Sequence, residues 1–582
     1  MNPDRTLIAV QRSGDDPQLA CWRLGASGEV PQAAPMWVLP GEREGDWRIL
    51  SWAATGQVAL WRRRGGRAEM MIENVEGEAE ETRHAIMGRP VGCRATPSGQ
   101  VEVMVAVPLG RRVMLCLLAP ESDSYLPLWE RGESASLGAW DARRRVAVLN
   151  LAPDAGAPAV RVVSYSGRSR HELPVSWPPQ VRPLRAMGYA RGIAGLTGVD
   201  GSGRTVPGVV EVSTGRVRWL AEHAGCSCAD VDPSCARLLA VHCEGESVTY
   251  RMMDMAGQRA RELPVGPGVA SDLRITRDGE HVIGCFQSPA LPPAVTRWNV
   301  RTGRRQALGP RPVATSADSV KWELRWVPDA AGRGIPEWVF SPGRPGNVGT
   351  VLYLHGGPGG QLSQAYEPVI AALASAGWAV RGMNYPGSSG YGAQYRDVVI
   401  GDWGGTDARS VERRLRSLHE RSGGRPICLY GQSYGGYLAL LAAAAVPDLL
   451  SAVAVWAPVT DLPQMLAAAR GTQRRWLEGQ LGDLRFDRRQ LWERSPVSQA
   501  PALLETPLLI GHGGRDEKCP VEQSRRLIEM LGEQSPADCL VRYMEDPDSP
   551  HTPLRWDQWA GAVLAHYESA LSRVLPREAH HA

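Results

Sequence analysis

One stretch constrains the fold more than any other: Cys428-Leu429-Tyr430-Gly431-Gln432-Ser433-Tyr434-Gly435-Gly436-Tyr437. An apolar run over 426–430 predicts a buried strand, and the Leu- and Ala-rich run to Val446 predicts a helix. Between them lies Gly-x-Ser-x-Gly. Glycines two before and two after the serine leave no Cβ where the chain bends and the helix crosses the strand. Such a turn holds a serine on a strained corner with its hydroxyl exposed, and directs the next N–H, that of Tyr434, into the same space.

The flanking sequence extends this corner into a layered domain. From residue 350 strands and helices alternate: Val351–Leu354, a helix over 368–376, Ala379–Met383, a helix over 406–421, the 426–430 strand with its helix, Ala452–Trp456 and Leu508–Ile510. This pattern predicts a doubly wound, mostly parallel sheet, the sheet of an α/β-hydrolase, with functional groups on loops at the carboxyl ends of its strands. An alternating hairpin, 320–326 with 335–340, precedes it.

A serine hydroxyl needs a base to take its proton, and the base needs a carboxylate to fix its tautomer. In this fold the order is Ser, acid, His. Asp516 follows the strand at 508–510 through two glycines, and His551 lies in a proline-rich loop after the strand at 539–543. His566 falls in a terminal helix, and His580 and His581 at the chain end, which leaves His551 as the base. Asp546 and Asp548 are rival orienters within its own loop. The loop after the first hydrolase strand, His355-Gly356-Gly357-Pro358-Gly359-Gly360, is glycine-rich enough for a backbone N–H to approach a substrate carbonyl. His355 itself reads as a structural hydrogen-bonder.

The first half reads differently. Short Val-, Leu- and Ala-rich strands are broken by turns such as Thr55-Gly56, Pro97-Ser98-Gly99 and Arg277-Asp278-Gly279. Taking Ser51, Cys93, Gly138, Met187, Cys228 and Leu273 as starts, the units recur at steps of about 41 to 49 residues. A period of this length with several strands per unit predicts a β-propeller. Six units are countable and residues 7–40 supply part of another, so a seven-bladed propeller over 1–315 is expected before the hydrolase domain at 316–582.

Composition excludes several classes. The 65 basic and 62 acidic residues of the 582 give a net charge of +3, with no patch that points to nucleic acid or a membrane surface. Arg62-Arg63-Arg64 reads as a solvated run. No apolar run approaches the roughly 18 residues of a membrane span, and the N-terminus lacks the features of a signal peptide. Eleven cysteines, an odd number in strand-like surroundings, favour free thiols and a cytoplasmic location. The cluster Cys226, Cys228, Cys235, His242 and Cys243 lacks zinc-ligand spacing, so no metal is expected, and the chemistry needs no cofactor.

The motifs HGGP at 355–358, NYPGSSGYG at 384–392, GDWGGTD at 401–407, GQSYGGY at 431–437, APVTD at 457–461, HGGRDEKCP at 512–520 and then His551 resemble the prolyl oligopeptidase-like serine peptidases, in particular the acylaminoacyl-peptidase and dipeptidyl-aminopeptidase branches. The resemblance covers about 230 residues in motif detail and the first half in architecture alone. It implies Gly357 and Tyr434 as oxyanion donors, and a propeller that caps the site and limits access to short peptides or acyl-peptides. It puts Lys518 where the family often carries an Arg that grips a substrate carbonyl. Pro386 and Pro550 also depart from the family pattern. The segment after Asp461 is expected to line the pocket, with Trp456 and Trp476 as wall or core. Glu80-Glu81 is the conspicuous acidic pair that could hold a free substrate amine; otherwise it belongs to a solvated run.

Three functions follow from these residues. The first is a serine peptidase of short peptides, acting through an acyl-enzyme and able to assemble as a homo-oligomer. The second is an esterase, amidase or acyl-transferring cyclase on the same triad. The third is a non-catalytic propeller scaffold.

Overall fold

The computed structural model describes most residues between Leu7 and Val574. Outside the description lie 1–6, most links between strands before residue 169, 245–246, 256–258, 309–319, 330–331, 333, 343–347, 533–540 and 575–582. The acidic pair at 80–81 and the expected boundary between 315 and 316 fall among these. The chain divides into two compact units: Met1–Phe286 with Pro293–Arg311, and Gln287–Pro292 with Pro312–Ala582.

The first unit is a succession of small antiparallel sheets in chain order, each a meander in which sequence neighbours pair. Four-stranded sheets begin with the strands Arg48–Ala54, Arg89–Ala95, Ala135–Asp141, Val181–Ala190, Cys226–Val231 and Val269–Ile275. These contain the six unit starts read from the sequence. A three-stranded sheet, Leu7–Gln11, Leu19–Arg23 and Trp37–Val38, precedes them. First strands of successive sheets lie beside one another, the arrangement of a β-propeller. Its interior is built of such pairs as Trp298 with Phe286. One expectation fails here. Arg62 is buried, not solvated, because its guanidinium pairs with Glu69 on the neighbouring strand at 2.7 Å. Cys226 and Cys228 are buried on one strand, and among the described residues no group of His, Cys, Asp and Glu could hold a metal ion.

The second unit is built on an eight-stranded sheet. Its order is Lys321–Pro328, Gly334–Ser341, Ala379–Met383, Thr350–Leu354, Ile427–Gln432, Ala452–Trp456, Leu508–Gly513 and Val541–Asp546. The leading hairpin is antiparallel, and the six strands from Ala379–Met383 onward are parallel. Side chains alternate between faces with the period of a strand. Leu352, Leu429, Val453, Val455, Leu508 and Ile510 enter one core with the helices Thr406–Arg421 and Tyr434–Ala445. Val351, Tyr353, Tyr430, Ala454 and Leu509 enter the other with Pro368–Ser375 and Trp556–Val574. Because both faces are covered, the central strands are apolar throughout. From Thr350–Leu354 the chain steps first to one side and then, at Ile427–Gln432, to the other. The loops after these two strands therefore open at the topological switch point, where α/β sheets bind ligands. Among the described residues no helix is long and apolar enough to cross a membrane.

Candidate active site

Ser433 sits at the switch point, between the strand Ile427–Gln432 and the helix Tyr434–Ala445, with φ +54° and ψ −118°. That backbone is costly for a residue with a Cβ. It persists because the strand and the helix on either side are buried almost completely. A Cβ at Gly431 would run into the Gly435 carbonyl, and one at Gly435 into the carbonyls of Leu354 and His355. The two motif glycines are thus requirements of close approach. The N–H of Ser433 donates to the Trp456 carbonyl at 2.9 Å. Tyr434 opens the helix, so its own N–H has no intrahelical acceptor.

Asp516 and His551 meet. The Nδ1 of His551 donates to Asp516 Oδ2 at 2.7 Å, and Asp516 Oδ1 accepts the N–H groups of Lys518 at 2.8 Å and Cys519 at 2.9 Å. His512 Nε2, which donates to the Cys519 carbonyl at 2.9 Å, stands 3.4 Å from Asp516 Oδ2. Burial opposes ionisation of Asp516. The hydrogen bonds from His512, His551 and Cys519 outweigh it and hold the carboxyl well below the usual carboxylate range. The rival acids are engaged elsewhere: Asp546 with Ser549 at 2.7 Å and Arg555 at 3.0 Å, Asp548 with Arg515 at 2.7 Å. The loop that carries His551 packs against Gly513, where a Cβ would strike the carbonyls of Ser549 and Pro550. His566 is buried and faces the Val453 carbonyl at 3.1 Å.

The glycine-rich loop 355–360 reaches the nucleophile. A Cβ on Gly356 would sit 3.6 Å from the Ser433 Cβ. His355 anchors this loop, its Nδ1 on the Gly356 carbonyl at 2.7 Å and its Nε2 2.9 Å from Ser388 Oγ. Burial pushes its imidazole down to about 4, so it is neutral. The Tyr385 hydroxyl donates to the His355 carbonyl at 2.7 Å, and the two rings stack at 4.4 Å. Gly357 lies two residues further on.

The three residues expected to touch substrate separate. Trp456 is 3% exposed and belongs to the core, against Trp559 with ring centroids 5.0 Å apart. As a pocket wall it is corrected to a strut: its carbonyl holds Ser433 N–H, and its indole N–H donates to the His551 carbonyl at 3.0 Å. Trp476 is 47% exposed and meets Trp403 edge-on at 6.2 Å. Lys518 has an exposed side chain, while its carbonyl accepts from Gln473 at 2.6 Å. Sequence reasoning gave no role to His512, Tyr385 or Asp407. Each lies inside a quoted motif, and the missed signal was a polar side chain with nowhere to go but the core.

Comparison with known proteins bears on the second unit as a whole. Residues 364–568 match the family model described as "Prolyl oligopeptidase family", so the second unit carries a domain of that family. Among curated proteins, the chain is 28% identical over 298 residues to an uncharacterized peptidase, YuxL, of Bacillus subtilis, covering 48% of this chain and 43% of that protein. It is 25% identical over 387 residues to dipeptidyl aminopeptidase BIII of Pseudoxanthomonas mexicana, covering 60% and 54%. The chain thus spans about half the length of the curated relatives it matches. Among solved structures, that of a puromycin hydrolase superposes with a TM-score of 0.77 at 19% identity, over 98% of this chain and 94% of that one. This last likeness shows the fold.

Proposed function

We propose that the chain is a serine peptidase that cleaves short peptides through an acyl-enzyme, with Ser433 as nucleophile, His551 as base and Asp516 as orienter. The observation that carries the reading is the 2.7 Å contact from His551 Nδ1 to a carboxylate that also accepts the backbone N–H groups of Lys518 and Cys519. With Nδ1 committed as a donor, the lone pair of Nε2 is left to take the Ser433 proton. Ser433 Oγ adds to the scissile carbonyl. The developing oxyanion accepts from the N–H groups of Tyr434 and Gly357. The imidazolium returns its proton to the leaving amine, and water, activated by the same imidazole, resolves the ester.

The names of the relatives support an amide bond in a small substrate: one is a dipeptidyl aminopeptidase, and a structural neighbour is a puromycin hydrolase. Trp476 supports an apolar wall and Lys518 a contact to a substrate carbonyl. The six four-stranded sheets and the three-stranded sheet among the described residues support seven blades. The change in texture near 315 supports a catalytic domain over 316–582. The free cysteines among the described residues support a reducing, cytoplasmic setting.

The test is a panel of free peptides, acyl-peptides and esters, run on the wild type and on Ser433→Ala. Peptide turnover that falls by several orders of magnitude in the variant, on an intact fold, is expected. Near-normal turnover in the variant would sink the assignment. Esters turned over with every peptide refused would favour the esterase reading instead.

A further inference from the structure

Asp407 is a fully buried acid that the triad does not use. It sits at the second position of the helix Thr406–Arg421, where one oxygen accepts the Ala408 N–H at 2.8 Å. The other accepts the Tyr434 hydroxyl. Tyr434 is the residue after the nucleophile, and its backbone N–H is the proposed oxyanion donor. The phenol is buried too, in a cluster of rings: Trp403 at 4.7 Å, Tyr437 at 5.3 Å and Tyr385 at 6.1 Å between centroids. Tyr385 is the ring that holds the carbonyl of His355, two residues before Gly357. A Cβ on Gly357 would come within 3.1 Å of the Tyr385 hydroxyl.

A buried phenol and a buried carboxyl are an expensive way to fill space, since both must be desolvated and neither packs better than Leu or Phe. What the pair adds is direction. The peptide N–H of Tyr434 and its ring leave from adjacent bonds at one Cα. Fixing the hydroxyl at the far end of a rigid side chain removes the rotation that would let the N–H drift.

We propose that Asp407 is a positioning residue for the oxyanion hole, acting through the Tyr434 phenol, and that the ring cluster it anchors ties the Tyr434 and Gly357 arms of the hole to one support. This rests on the peptidase reading. It assigns a task to the GDWGGTD segment: Trp403 supplies one wall of the cluster, and the turn sets Asp407 at the helix start. Asp402 holds that turn by accepting from Thr406 N–H and Oγ at 2.9 Å each.

The test uses the full chain with Tyr434→Phe, Asp407→Ala and Asp407→Asn. The phenylalanine keeps the ring and removes the hydroxyl. Asparagine can keep both contacts, Oδ1 accepting from Ala408 and Nδ2 donating to the phenol. Three quantities are measured: kcat and KM on a short peptide anilide, the Ki of a peptide aldehyde, and the affinity of a peptide that is not cut. The aldehyde carbon bonds to Ser433 Oγ as its C=O π bond opens and the Oγ proton passes to His551; there is no leaving group, and the former carbonyl oxygen enters the hole.

Tyr434→Phe and Asp407→Ala are expected to lower kcat roughly tenfold or more, with KM and affinity for the uncut peptide within about twofold. The aldehyde Ki should weaken by the same factor as kcat. Asp407→Asn should recover to within about threefold of wild type. If Tyr434→Phe leaves kcat and the aldehyde Ki unchanged, or if affinity for the uncut peptide falls as far as kcat, the proposal is overturned. An inert wild type that the aldehyde does not inhibit overturns the peptidase reading, and this one with it. An active wild type with an indifferent phenylalanine variant overturns only this one.

Discussion

Asp516 and His551 stand 35 residues apart in sequence and 2.7 Å apart in space, carboxylate oxygen to Nδ1. The strand Leu508–Gly513 delivers one and the strand Val541–Asp546 the other, and these two strands are parallel neighbours at the end of the sheet. The contact is therefore a product of sheet order. It fixes which nitrogen of the imidazole is free.

Asp516→Asn tests that consequence. An amide in place of the carboxylate can present N–H to Nδ1, forcing the proton onto Nε2 and removing the base. Peptide turnover should fall by roughly 10³ to 10⁴-fold with the far-ultraviolet spectrum unchanged. The loss should be somewhat smaller than for Ser433→Ala. The carboxyl is held below its unfolded value, so its stabilising contribution is present above about pH 4 and is lost as pH falls towards the folded value. The Tm gap between wild type and variant should therefore shrink on acidification.

Trp456→Phe tests the strut. It keeps most of the ring against Trp559 but removes the indole N–H that holds the His551 carbonyl at 3.0 Å. A lost neutral hydrogen bond costs about 1 kcal/mol of stability. The kinetic effect should act through His551 alone, because the backbone carbonyl that holds Ser433 N–H is kept in the variant. A fall in kcat with little change in KM is expected from steady-state kinetics. A rise in KM alone would return Trp456 to the pocket.

Asp407 gives a pH dependence of stability of the opposite sign to Asp516. Burial pushes its carboxyl up to about 6, against the hydrogen bonds from Tyr434 and the Ala408 N–H. An acid raised in the folded state favours folding most below its unfolded value, near 4, and that advantage is lost as pH rises through about 6. A shift of this size corresponds to on the order of 2–3 kcal/mol. Asp407→Asn does not titrate. Its Tm relative to wild type should rise between pH 4 and pH 8, as read by thermal melts across that range. A flat difference would mean that the carboxyl is not raised.

Much of the second unit was legible in advance because its signals are local. The period-2 alternation, the Gly-x-Ser-x-Gly corner and the glycines before Asp516 each concern a few adjacent residues. The repeat of the first half was legible for the same reason, one unit copying the next. The partners of buried polar groups were not legible. Asp407 and Tyr434 are 27 residues apart and on different helices, so neither predicts the other. Arg62 reads as solvated until the register brings Glu69 opposite it. Trp456 was poised between wall and core, and its 3% exposure follows from the strand Leu508–Gly513 and the helix Trp556–Val574 packing over it.

Size selection is the prediction drawn from the proposed short-peptide substrate. In a labelled series of unstructured peptides of increasing length, kcat/KM should drop sharply beyond a limit, and denatured casein should resist. Equal kcat/KM from the shortest peptide to casein would remove the restriction to short substrates while leaving the triad in place.

The nucleophile is tested most directly by a fluorophosphonate probe and mass spectrometry of the digested protein. The folded wild type should take up one probe per chain, on the peptide that contains Ser433, and peptidase activity should fall in proportion to labelling. Ser433→Ala and heat-denatured wild type should take up none. Label at another residue, or full activity retained at stoichiometric labelling of Ser433, would contradict the account.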